Sequence, residues 1–105
     1  MENSVNYKFY HACFDDYVIG NNGGLTVKAS AFEPHKLRAE DTDPGALWGK
    51  IVSAMREHKP DLTGVGNLYR DYVNNCTYVI FGNYYYEDMG VIVPCLPEPD
   101  YTKHN

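Results

Sequence analysis

One stretch of helical periodicity sits inside a chain that otherwise alternates. Leu47, Trp48, Ile51, Val52 and Met55 recur at the spacing of a single helical face. Asp43 stands where an N-cap accepts a backbone N–H, and Pro44 has the fixed φ and missing donor that suit a first helical residue. Lys50, Arg56 and Lys59 occupy the rest of the stretch or its end, where positive charge favours the helix dipole, and Pro60 ends it. The pattern predicts a helix over about 44–59. Its apolar stripe is expected to pack on a sheet.

The flanks supply that sheet. Residues 5–14 place Val5, Tyr7, Phe9, His11 and Cys13 on one face and large rings on the other, which predicts an inner strand covered by a helix. Residues 16–20 and 25–32 read as two strands joined across Asn21-Asn22-Gly23-Gly24, whose residue types supply positive φ for a tight turn. The polar stretch 33–43 reads as a connecting loop. Cys76–Phe81 is rich in branched and aromatic residues and predicts a strand. The last strand falls within 84–94, and either 82–83 or 87–90 could turn the chain before it. Residues 67–75 are ambiguous. Leu68 with Tyr72 and Tyr69 with Val73 are helix-spaced pairs, and Asn74-Asn75 would serve as a C-cap, so a short second helix is favoured there.

Hairpins with one main helix on one face define an α+β fold, with a small antiparallel sheet. A chain of 105 residues makes one domain. The expected boundaries are a domain over 1–93 and an extended tail over 94–105, set by Pro94, Pro97 and Pro99.

Charge and cysteine usage narrow the classes of function. The net charge is −5, which argues against direct contact with a nucleic-acid backbone. No run of apolar residues is long enough to span a bilayer, so no membrane contact is expected. Cys13, Cys76 and Cys95 are odd in number and widely spaced, and no basic, apolar leader opens the chain. Free thiols in a cytoplasmic protein are the expectation.

Motifs for chemistry are thin. Gly20, Gly23 and Gly24 resemble a phosphate loop in spacing, but strand-like alternation follows where a helix would have to start. His11, Cys13 and His35 lack the paired close spacings of a structural zinc site. Cys76 opens an apolar strand and reads as a small buried hydrophobe. Asp15-Asp16, Glu40-Asp41 and Glu87-Asp88 sit in turn-like sequence and read as solvated. No cofactor, metal or catalytic residue is expected.

Tyrosine is the conspicuous signal. Ten tyrosines occur in the chain, and seven lie in the last 45 residues beside six carboxylates and two bases. Tyr84, Tyr85 and Tyr86 cannot all face one side of a strand, so at least one ring should be exposed beside Glu87 and Asp88. A stiff ring with a polar tip, set among carboxylates, suits contact with a basic surface. The expected function is a small acidic protein inhibitor that blocks a basic, nucleic-acid-acting protein, as toxin-immunity and phage counter-defence proteins do. Tyr84, Tyr85, Tyr86, Glu87 and Asp88 are the expected partner-binding residues, and a homodimer is compatible with them. The alternative is a protein or small enzyme for a phosphorylated ligand, with His11, His35, Lys36 and Arg38 as polar contacts between sheet and helix.

Overall fold

The computed structural model describes residues 5–12, 14–20, 24–60, 67–81 and 89–97. Seven strands and one α-helix are present among them: β1 (Tyr7–Tyr10), β2 (Tyr17–Ile19), β3 (Leu25–Val27), β4 (Leu37–Asp41), α1 (Pro44–His58), β5 (Asn67–Asp71), β6 (Cys76–Ile80) and β7 (Met89–Val93). Five of the strands form one antiparallel sheet in the order β4-β1-β7-β6-β5, and β2 pairs with β3 separately. The α+β architecture with one main helix on the sheet is as expected.

The sheet is covered on both faces. On one face, α1 buries Leu47, Trp48, Ile51 and Met55 against Phe9, Val79, Phe81 and Ile92. Trp48 stacks on Phe81 with ring centroids 5.8 Å apart. The helix begins as its sequence dictates, with the Asp43 carboxylate accepting from the Ala46 N–H at 3.0 Å. Leu96 joins the same cluster, so the segment after β7 folds back over the sheet. On the other face, Tyr17 from the β2–β3 ribbon and Ala31 pack on Cys76, Tyr78, Ile80, Met89 and Val91. All five residues of β6 are buried as a result.

Gly90 is required by this stacking. A Cβ there would land inside the Phe9 ring and 2.8 Å from the Tyr10 carbonyl oxygen. The ring fills the space that a side chain on central strand β7 would take.

A buried ion pair fastens the ribbon layer. Asp16 is 3% exposed and accepts from Lys36 Nζ at 2.9 and 3.0 Å and from Ser30 Oγ at 2.6 Å. Its backbone oxygen also takes the Lys28 N–H. Neighbouring hydrogen bonds of this kind offset the cost of removing the two charges from water.

The Asp16–Lys36 pair corrects the solvated turn expected at Asp15-Asp16, since Asp16 is buried, and four further local expectations are corrected. Residues 33–43 are not all loop: Leu37–Asp41 is edge strand β4, in which Ala39 faces inward while Arg38 and Glu40 lie exposed. Such a strand shows little apolar alternation because one side and one edge face water. The strand expected over 25–32 stops at Val27, and Ala29–Phe32 forms a 3-10 turn that buries Ala31. The first strand spans only Tyr7–Tyr10, inner as expected, between β4 and β7.

Residues 67–75 are a strand and a turn, not a helix. Leu68 packs on the helix-face cluster and Tyr69 is exposed, so the helix-spaced pairs are split by a period-two backbone. Asn75 takes φ 56°, and the Asp71 carboxylate accepts from the Val73 and Asn74 N–H groups at 3.1 Å each, which closes a hairpin. β2 and β3 pair antiparallel as expected, with Ile19 opposite Leu25, while residues 21–23 of the expected turn lie outside the described residues. Residues 82–83 and 87–88, which bear on the C-terminal turn, and 98–105 of the tail lie outside the described residues.

Candidate functional site

The residues expected to bind a ligand do not converge. Lys36 is spent on Asp16. The His11 ring meets His58 edge-on at 4.4 Å, at the C-terminal end of α1. His35 is exposed, with Nε2 3.7 Å from Glu33. Arg38 donates to the backbone oxygens of His35 and Leu37 at 2.6 and 3.3 Å. Of the four, Arg38 alone lines the open groove of about 460 Å³ between β4 and α1, together with Ala39, Lys50, Ser53, Ala54 and Glu57. The Lys50 ammonium in that groove is committed, at 2.9 Å from the Asp41 carboxylate and 3.2 Å from the Glu40 carbonyl.

The Cys76 thiol is buried in β6. Burial pushes the Cys76 thiol pKa up, away from the thiolate that reacts. No group of three His, Cys, Asp or Glu residues is placed to hold a metal ion among the described residues. No helix there is long and apolar enough to cross a membrane. Tyr84, Tyr85, Tyr86, Glu87 and Asp88 lie outside the described residues, as does Cys13.

The aromatic surface that is described lies one hairpin earlier. Tyr69 in β5 is 49% exposed, and Tyr72 and Val73 in the turn to β6 are 67% and 92% exposed. Their presentation follows from the local fold. Leu68 and Arg70 point to the helix face of the sheet, where Leu68 joins the core and Arg70 donates to the backbone oxygens of Leu96 and Pro97 at 2.9 Å each. Tyr69 and Asp71 therefore share the opposite face.

Asp71 is the keystone of this hairpin. The Asn74 side-chain amide donates to it at 2.8 Å, and this bond and the Asn74 N–H hold its carboxyl below the usual carboxylate range. The Tyr78 hydroxyl donates at 3.2 Å to the same oxygen, Oδ2, that accepts from the Asn74 amide. Burial raises the Tyr78 pKa, so the phenol stays protonated and donates. The tip is thus a hydrogen-bonded projection with an ionised carboxylate at its base and the exposed Tyr72 and Val73 at its end. It stands on β6, the strand buried on both faces.

Sequence reading overlooked Tyr69, Tyr72 and Val73 as a surface because the stretch was assigned to a helix. The available signal was Asp71-x-x-Asn74-Asn75, which suits an Asx turn as well as a helix end. Comparison with family models, with curated proteins and with solved structures finds no match to this chain.

Proposed function

We propose that this chain is a small acidic binding protein, not an enzyme, that docks on a basic protein and blocks it. A nucleic-acid-acting toxin or defence protein in the cytoplasm is the partner class that fits, because such proteins carry the basic surface that a chain of net charge −5 complements. The observation that carries the reading is the β5–β6 tip, where Tyr72 and Val73 are exposed at 67% and 92% beside the ionised Asp71. Large side chains held outward on a hydrogen-bonded hairpin lose little conformational freedom on binding. Aromatic anchors of this kind carry most of the energy in many interfaces. The segment Tyr84–Asp88 adds three tyrosines and two carboxylates between β6 and β7 in sequence.

The test is a binding titration against basic nucleases and toxins encoded beside this gene. Tyr72→Ala with Val73→Asp should weaken binding by a factor of about 30 or more. The urea midpoint should move little, because Val73 is almost fully exposed and Tyr72 mostly so. Binding should also weaken as salt rises. Full-strength inhibition by that double variant, and by Tyr85→Ala and Glu87→Lys with Asp88→Lys, would leave the reading without a surface.

A further inference from the structure

The tip leaves the long side of β5 unexplained. β5 is the last strand of its sheet, so its outward backbone groups meet no strand among the described residues. Its register with β6 runs through five consecutive pairs without a bulge. The strand reads Asn-Leu-Tyr-Arg-Asp, with no lysine or proline to discourage pairing, and Tyr69 half in water at its centre.

We propose that β5 pairs antiparallel with β5 of a second copy about a two-fold axis at Tyr69. The two five-stranded sheets then merge into one continuous sheet. A two-fold axis normal to the sheet keeps like faces together, so only three registers need comparison. With Tyr69 opposite its own copy, the whole strand overlaps. Arg70 then lies opposite Leu68 of the second copy, and Asp71 opposite Asn67. Ring meets ring at the centre, a favourable cross-strand pair. Sliding one way sets Arg70 against Arg70, two like charges face to face. Sliding the other way leaves Arg70 and Asp71 beyond the end of the second strand. The central register alone pairs every residue and opposes no like charges.

Charge also separates this inference from the proposed inhibitory role, on which it does not rest. β5 is neutral, with one Arg and one Asp, whereas each whole chain carries −5. Long-range repulsion between copies therefore opposes the pairing, and salt screens it. Self-association should strengthen with salt, while docking on a basic partner should weaken. The pairing leaves Tyr72 and Val73 of both copies at the ends of the shared ladder, about 20 Å apart along the strand direction from the rise per residue.

Sedimentation equilibrium of the full chain at about 0.05 M and about 0.5 M salt tests the proposal. A reversible dimer that tightens at the higher salt is expected. Tyr69→Lys sets two ammonium groups face to face and should loosen it about tenfold. Asn67→Lys should tighten it and Asn67→Asp loosen it, each by more than Ser53→Lys and Ser53→Asp, which change the net charge equally on the exposed face of α1. Amide exchange within β5 should slow as protein concentration rises. A chain that stays monomeric to about 1 mM at the higher salt overturns the proposal. So does a dimer indifferent to Tyr69→Lys, or one in which the position-67 variants match the position-53 controls.

Discussion

The two edges of the five-stranded sheet are treated in opposite ways. At the β4 edge the register slips between Phe9 and Tyr10, which bends the strand. α1 lies along it, and Lys50 reaches from the helix to the Glu40 carbonyl and the Asp41 carboxylate. Asn6 Nδ2 donates to Glu40 at 2.7 Å, and the Arg38 guanidinium caps two carbonyls. Charge, bulge and helix together close that edge to a further strand. Among the described residues the β5 edge has neither a bulge nor a further strand along it. Its one base is drawn to the Leu96 and Pro97 carbonyls, and its exposed groups are Tyr69 and the tip. The difference teaches that side chains of neighbouring elements cover the backbone of β4, whereas no described strand pairs with the outer side of β5.

The contrast can be broken most forcefully at its buried root. Lys36 sits immediately before β4 and holds Asp16, with side chains 16% and 4% exposed. Lys36→Met should destabilise the protein by about 3 to 5 kcal/mol, because a buried carboxylate loses its counter-charge. Urea unfolding would measure it, and a loss below about 1 kcal/mol would mean that the pair is solvated. Exchange should rise first in β2, β3 and β4, with β5 and β6 least affected.

A smaller effect is expected at the open edge. Asp71→Asn should cost about 1 kcal/mol at neutral pH, through weakened turn bonds. It should also change the acid limb. The Asp71 carboxyl is held below its ordinary value of 3.8 in the folded protein, so its contribution is complete above that value and fades as pH falls through the folded one. The parent protein should lose stability below about pH 4, and the variant should lose less over the same range. Parallel acid limbs for the two proteins would show that Asp71 does not anchor the tip.

The mildest change sharpens the comparison. Lys50→Ala should leave the urea midpoint nearly unchanged, since the Lys50 side chain is more than half exposed. It should nonetheless uncover the Glu40 carbonyl, speed amide exchange in β4 and add a salt-promoted higher oligomer to the proposed dimer. No change in assembly would mean that the bulge alone closes this edge.

The helix and β6 were legible because their signals are local and redundant. Asp43 caps, Pro44 starts and five apolar residues fall on one face, and all agree. β4 was illegible because an edge strand with Arg38, Glu40 and Asp41 has the composition of a loop, and only its pairing to β1 makes it a strand. β5 was misread for a different reason. Two helix-spaced pairs fit five residues of strand plus a turn equally well, and an asparagine at positive φ serves a helix end or a hairpin alike. Of the tyrosines in the C-terminal half, Tyr69 and Tyr72 lie outside and Tyr78 is buried, while Tyr84, Tyr85 and Tyr86 lie outside the described residues. The exposure of Tyr69 depends on β5 being the last strand of the described sheet, a property of the topology that no short window contains.

The partition of aromatic residues gives the protein two built-in optical channels. Its one tryptophan is stacked on Phe81 in the cluster under the helix, while the Tyr78 phenol, in the cluster on the other face of the sheet, is tied to the carboxylate that braces the tip. Occupation of the hairpin should therefore perturb tyrosine absorbance while tryptophan emission holds constant as an internal reference, so binding can be followed without attaching a dye.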